Sequence, residues 1–384
     1  MTPAAIAQEL YDGYGDFRLD HLTPASCIHK VLVNELEALI RSRSGLFSLN
    51  RIGESIEGRS INLILAGTGT RRVLLWSQMH GDEPTATLAL LDMLHLFTLQ
   101  DHGSWVNTLL QELTLCVIPM VNPDGAERRE RRNAAGIDIN RDARLATTPE
   151  ARTLLRAQQD LQPEFGFNLH DQDLNSAGTS PAVAALALLA PPADPERTLT
   201  RVRVKAMRLG ALISRVLDPF AHGHIARYDD TFEPRAFGDV FQGAGTSTLL
   251  IESGDWPGDP DKIFIRKLNT IAILTALHSI ARCSYEDEDV DRYLHLPPNG
   301  KQVFDVLIRG LLLQHPGSWT SRTDLGLLRQ RGTNLLTVKD VGDLSTHGGL
   351  EIAEVNSRSL PPALARIGTT IERSDLFDLL QIPR

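Results

Sequence analysis

The stretch VLLWSQMHGDEPTATLALLDML, from Val73 to Leu94, decides how the chain folds. Its spacing predicts a buried strand over 73–77, a tight polar turn over 78–83, and an amphipathic helix opening at Pro84, a residue favoured at the first helical position. The turn carries His80 and Glu83. An imidazole and a carboxylate three residues apart, at the carboxyl end of a strand, can face one cation. The pair alone says little. With 12 His and 48 acidic residues in 384, about 1.5 such pairs arise by chance, and a second, His170/Asp173, is present. Its meaning depends on what surrounds it.

Working outward from this step, apolar strand candidates alternate with helical patterns from residue 47 to about 290. The strand candidates are INLILAG, RVLLWSQ, LTLCVIPMV, FGFNLH, VAALALLA and STLLIE, and the helices fall near 84–99, 149–160, 197–217 and 262–281. Such alternation predicts an α/β sheet with helices on both faces. Residues 1–46 read as a helical segment packed on that sheet, with Ile28, Val31, Leu32, Leu36 and Leu39 on one helix face. After the LPPNG break at 296–300 the texture changes to short β-rich runs separated by Gly, Ser, Thr and Asn. Three parts are expected: 1–46, a main α/β domain over 47–290, and a small β-rich C-terminal domain over 291–384. The last shows no motif and reads as a structural or oligomerising appendage.

Composition narrows the function classes. The formal net charge is −9, spread along the chain, which argues against nucleic acid as the main partner. The basic run RRERR at 128–132 reads instead as a solvated loop or an anion site for a small substrate. Three cysteines, Cys27, Cys116 and Cys283, are odd in number and lack CxxC spacing, so neither a disulfide framework nor a thiolate metal site is expected. The N-terminus has no basic or apolar leader, and the apolar run from Ala182 falls short of the roughly 20 residues that span a bilayer. A cytoplasmic protein without a membrane partner is the expectation.

Four further stretches sit at or after strand ends, where open α/β sheets place ligands. In Asn122–Asp142, NPDG alone is a turn signal, but Arg131, Asn140 and Arg141 bring two guanidinium forks and an amide, the groups that grip a carboxylate or oxyanion. In FGFNLHDQ, His170 closes a strand. A lone strand-end histidine is more often structural, yet with His80 and Glu83 it gives two nitrogens and a carboxylate, leaving a fourth zinc position open as in catalytic sites. Asp171 and Asp173 beside it read as solvated. In STLLIE, a buried strand ends in Glu252, which needs a partner or a task. The loop ARYDDTFEPRAFGD before it looks substrate-facing, with Tyr228 and Arg235 as possible contacts.

HGDE (80–83), NPDG (122–125), RRNAAGIDINR (131–141), NLH (168–170) and the strand ending in Glu252 occur in one order. In that order and spacing, residues 47 to 285 resemble the zinc carboxypeptidases, the M14 metallopeptidases. The resemblance implies a mixed eight-stranded sheet flanked by helices, one Zn2+ per chain on His80, Glu83 and His170, and Glu252 as general base. It further implies Arg131 as the group polarising the scissile carbonyl, Asn140 and Arg141 as the carboxylate clamp, and Asp138 as the acid orienting His80. Tyr228 is the one tyrosine placed to match the family's clamping tyrosine. The expected substrate is a peptide or acyl amino acid with a free carboxylate. Two other readings stand beside it: an N-acyl amino acid amidohydrolase of the succinylglutamate desuccinylase or aspartoacylase type, and a non-catalytic carboxylate-binding module.

Overall fold

The computed structural model describes residues 1–383 apart from 44, 100–102, 315–319, 331–332 and 357. Nine strands precede residue 254: β1 (Phe47–Glu54), β2 (Ser60–Ala66), β3 (Arg71–Trp76), β4 (Leu113–Ile118), β5 (Phe165–Asp171), β6 (Ser176–Ala177), β7 (Leu186–Leu189), β8 (Ile225–Arg227) and β9 (Ser247–Ser253). All but β6 form one eight-stranded sheet of order β1-β2-β4-β3-β5-β9-β7-β8. Its centre, β4-β3-β5-β9, is parallel; β1 pairs antiparallel with β2, β2 with β4 and β7 with β9, while β7 and β8 are parallel. The mixed sheet expected from the resemblance is therefore present.

Why these segments are strands follows from burial. Every residue of β5 and of β9 is buried, as a strand covered on both faces requires, and each carries a largely apolar stretch that gives way to charged and polar residues at its carboxyl end. The helices Thr85–Thr98 and Ile263–Arg282 are in contact with each other, and nearly all of both is buried. The second is long and apolar enough to cross a membrane, but 83% of its apolar window is buried inside the fold, so its composition is that of a core helix. Sequence reading missed two edge strands: β1, whose outer residues alternate with half-buried ones, and β8, only three residues long.

The helical N-terminal segment is fastened to these helices by a buried ion pair. Asp92, fully buried, accepts hydrogen bonds from the Tyr14 hydroxyl at 2.7 Å, the Leu19 amide at 2.9 Å and Arg266 Nε at 2.6 Å. Arg266 in turn donates to the carbonyls of Leu22 at 2.9 Å and Leu19 at 3.3 Å. Asp92→Ala leaves that guanidinium buried and uncompensated, a loss of about 3–5 kcal/mol for such pairs. Chemical denaturation should show it as a lower midpoint with an unchanged slope; a shift below about 1 kcal/mol would mean that the pair is solvated in practice.

Beyond residue 298 the chain forms β10 (Asn299–Gly300), β11 (Val303–Gln314), β12 (Thr320–Arg329), β13 (Leu335–Gly342), β14 (Gly348–Glu354), β15 (Ser359–Leu360) and β16 (Thr370–Glu372), then the helix Arg373–Leu379. Strands β11 to β16 make a second sheet with its own apolar cluster around Val306, Ile308, Leu325, Leu336 and Phe377. β10 instead pairs with β6 of the first part, at Asn299–Ala177 and Gly300–Ser176. That pairing places the start of the C-terminal part beside the chain that follows β5.

Candidate active site

The site is assembled by strand ends. β3 and β5 are parallel neighbours, as are β5 and β9, so their carboxyl ends lie at one edge of the sheet. His170 and Glu252 are register partners across β5 and β9, which sets their side chains on the same face and next to each other. His80 and Glu83 reach the same edge from the turn after β3. Gly81 in that turn is sterically required: a Cβ there would meet the backbone of Gly125 at 2.0 Å. The NPDG segment is thus structural support. Asn122 caps a short helix, Pro123–Arg128, by accepting from the Gly125 amide at 2.9 Å, and that helix end lies against the HGDE turn.

His80, Glu83 and His170 are all buried, and their ligand atoms lie within 4.8 Å of one another. Both Nδ1 atoms face the same carboxylate, His80 at 2.8 Å from Glu83 Oε1 and His170 at 2.8 Å from Oε2. The other nitrogen of His80 lies 3.1 Å from Asp138 Oδ1, a contact through which Asp138 can hold the ring's orientation. Two imidazoles and one carboxylate fit zinc better than the all-oxygen sets of magnesium or calcium. Arg131 donates to Glu83 Oε1 at 3.0 Å and to Asp138 Oδ2 at 3.1 Å, and is half-exposed to the cavity.

Glu252 is 8% exposed, and its Oε2 has no hydrogen-bond partner among the described residues. Burial holds its pKa well above the ordinary carboxylate value, and the nearby Glu83 charge adds to the effect. Asn140 and Arg141 lie in a short turn, Ile139–Arg141, capped by Asp138, whose Oδ1 accepts from the Asn140 amide at 2.9 Å. The Phe237 amide donates to Asn140 Oδ1 at 3.0 Å. Since a backbone N–H can only donate, the Asn140 side chain is left with its NH2 as the group to offer a ligand, which suits an anion. Arg141 lies 3.6 Å from Glu233 Oε2.

These groups share one cavity of about 870 Å³, lined by His80, Glu83, His170, Glu252, Arg131, Asn140, Arg141 and Tyr228. Tyr228 follows β8, and burial together with Glu252 and Glu83 raises its phenol to about 12, so it stays a neutral hydrogen-bonding group. Arg235 is not in the lining. It braces Glu233, at 2.8 and 2.6 Å, so its reading as a substrate contact is corrected. Asp171 is buried and takes the Thr85 hydroxyl at 2.5 Å, not solvated as expected, whereas Asp173 is exposed. Sequence reading missed Glu233, Asp239, Asn299 and Lys301, all of which line the cavity. The basic run is also divided: Arg131 faces the site while Arg132 bonds the Gly136 carbonyl at 3.0 Å.

Comparison with known proteins bears out the resemblance. The family model described as zinc carboxypeptidase, Peptidase M14, matches residues 32–178, a span that holds His80, Glu83, Arg131, Asp138, Asn140, Arg141 and His170 but not the site residues from Tyr228 onward. Carboxypeptidase 2 of Trichophyton rubrum is 27% identical over 104 residues, covering 27% of this chain and 19% of that one. Across the curated relatives it matches, the chain aligns with only 18 to 37% of their length. Among solved structures, a metallo-carboxypeptidase from Burkholderia cenocepacia shares the fold, with a TM-score of 0.51 at 17% identity, over 66% of this chain and 68% of that one. A metallo-carboxypeptidase from Pseudomonas aeruginosa, in complex with (2-guanidinoethylmercapto)succinic acid, does so with a TM-score of 0.50 at 18% identity, over 68% of each chain.

Proposed function

We propose that this chain is a zinc-dependent metallocarboxypeptidase that removes the C-terminal residue of a peptide bearing a free carboxylate. The observation that carries the reading is the shared cavity: the His80, Glu83 and His170 cluster, the carboxylate of Glu252, whose Oε2 has no partner among the described residues, and the Asn140–Arg141 donors all line it. His80, Glu83 and His170 would hold zinc, one ion per chain, and zinc when bound brings the pKa of water towards about 7 and polarises a carbonyl. Glu252 accepts the proton of the attacking water and returns it to the leaving amine. Arg131 stabilises the developing oxyanion, and Asn140 with Arg141 fixes the terminal carboxylate so that the scissile bond is held in place. Tyr228 closes over the substrate as a neutral donor.

The amidohydrolase and binding-module readings are not favoured, because the matching family model is that of the carboxypeptidases. A cytoplasmic location belongs to the same proposal, supported by three cysteines that remain free thiols. Two measurements test it. Purified protein should contain about one zinc per chain, and should release C-terminal residues from free-acid peptides in a manner lost on chelation and restored by zinc. Replacing His80 and His170 together by alanine should remove the metal. Unchanged zinc content in that variant would end the assignment.

A further inference from the structure

The cavity that holds the metal cluster continues into a second one, of about 680 Å³, between the first sheet and the C-terminal sheet. The two share Asp82, Asp171, Gln172, Asp173 and Lys301, and none of the carboxylate-gripping residues lines the second. The second cavity therefore adjoins the site at a part of its wall away from Asn140 and Arg141. β10 forms this junction. Asn299 donates to Gln172 Oε1 at 2.7 Å and Lys301 to Asn175 Oδ1 at 2.6 Å, so the C-terminal part is bonded directly to the chain following His170.

The charges presented to solvent there have a clear sign. Of the lining residues, Arg129, Lys301, Arg329 and Lys339 are exposed, against one exposed carboxylate, Asp173. The other lining carboxylates, Asp82, Asp171, Asp255 and Asp305, are buried or half-buried rather than exposed. Asp171 takes the Thr85 hydroxyl, Asp255 lies 3.3 Å from Lys262, and Asp305 accepts the Arg329 amide at 2.7 Å. Three of the four cations come from the C-terminal part.

From this geometry we propose that the C-terminal sheet is a substrate-reading element: it holds an acidic segment of the peptide, upstream of the bond that is cut, along the cavity between the two sheets. The inference rests on the carboxypeptidase reading. Charge complementarity selects the occupant, because a cationic rim over a cavity continuous with the site attracts carboxylate side chains and repels basic ones. The appendage reading made from sequence is replaced by one in which the second sheet supplies specificity.

The test compares kcat/KM for an N-acyl dipeptide with that for longer peptides extended upstream by several Glu, Ala or Lys residues. The wild type should prefer the Glu series over the Lys series, less so as salt is raised. Arg329→Ala with Lys339→Ala, both exposed and outside the metal cavity, should reduce cleavage of the Glu series about five- to tenfold, given the modest worth of exposed ion contacts. Cleavage of the dipeptide should stay at the wild-type level. Arg329→Glu with Lys339→Glu should invert the preference. If the wild type cleaves all series equally, or the double variants keep its preference, this inference is overturned and the carboxypeptidase reading stands. If zinc-loaded wild type cleaves no peptide at all, both fall together.

Discussion

Glu252→Gln is expected to fold, to keep its zinc, and to lose about 100- to 10,000-fold in turnover, the usual range for removal of a general base. The argument is positional. Glu252 ends an entirely buried strand and is the register partner of His170, so its side chain is delivered to the metal cluster by the sheet itself. A glutamine occupies the same volume, and none of the three ligand residues is touched, so metal content should match the wild type. The wild-type carboxylate is buried with one oxygen unpartnered among the described residues. A neutral amide there avoids the cost of burying charge, so the metal-free variant should unfold at the same temperature as the wild type or above it. Loss of turnover with intact zinc and intact stability separates catalysis from assembly. Near-normal turnover in a fully metallated variant would place the base elsewhere.

Much of this was legible in the sequence because the site lies where strands stop. β3, β5 and β9 are buried on both faces and therefore read as apolar runs, and the residues that end or follow them, His80, Glu83, His170 and Glu252, stand out against that background. The boundaries were less legible: the helix expected over 197–217 runs from Arg201 to Ala221, through Pro219. Periodicity could not place that end, since the proline falls in the last turn. NPDG was read as a turn and is a helix start, because Asn122 satisfies the Gly125 amide and Pro123 fits a first helical position. The residues missed in the site share a cause. Glu233 is one of several acids in its loop, and only the fold brings it within 3.6 Å of Arg141. Asn299 and Lys301 sit in what looked like a break between domains, and only the pairing of β10 with β6 turns that break into a wall of the cavity. Long-range juxtaposition leaves no local pattern to read.

Arg141→Ala should abolish the enzyme's discrimination between a peptide with a free C-terminal carboxylate and the same peptide as an amide. Under the proposed function the free acid meets Arg141 and the Asn140 NH2, both donors lining the cavity, in charge-assisted hydrogen bonds. The amide form cannot neutralise the guanidinium and presents an NH2 of its own to these donors, so its kcat/KM should fall by about 100-fold or more. Glu233 sharpens the expectation. Its carboxylate lies beside Arg141 but is bound more closely by Arg235, which with Arg141 holds its pKa down at about 2. It therefore stays charged across the working pH range, keeps the guanidinium oriented, and leaves it able to take a second anion. In Arg141→Ala that positive charge is gone while Glu233 stays paired with Arg235, so the free acid loses its advantage over the amide. Both substrates should be slow, and their ratio should approach one. If Arg141 only braced its turn, through its 2.8 Å bond to the Asn140 carbonyl, the variant would be unstable or weakly active, yet whatever activity survived would still prefer the free acid. The ratio of rates on the two substrates, measured in a variant whose folding and zinc content are checked independently, decides between these cases. A preserved preference would remove Arg141 from carboxylate recognition and with it the main physical support for cleavage at the C-terminus.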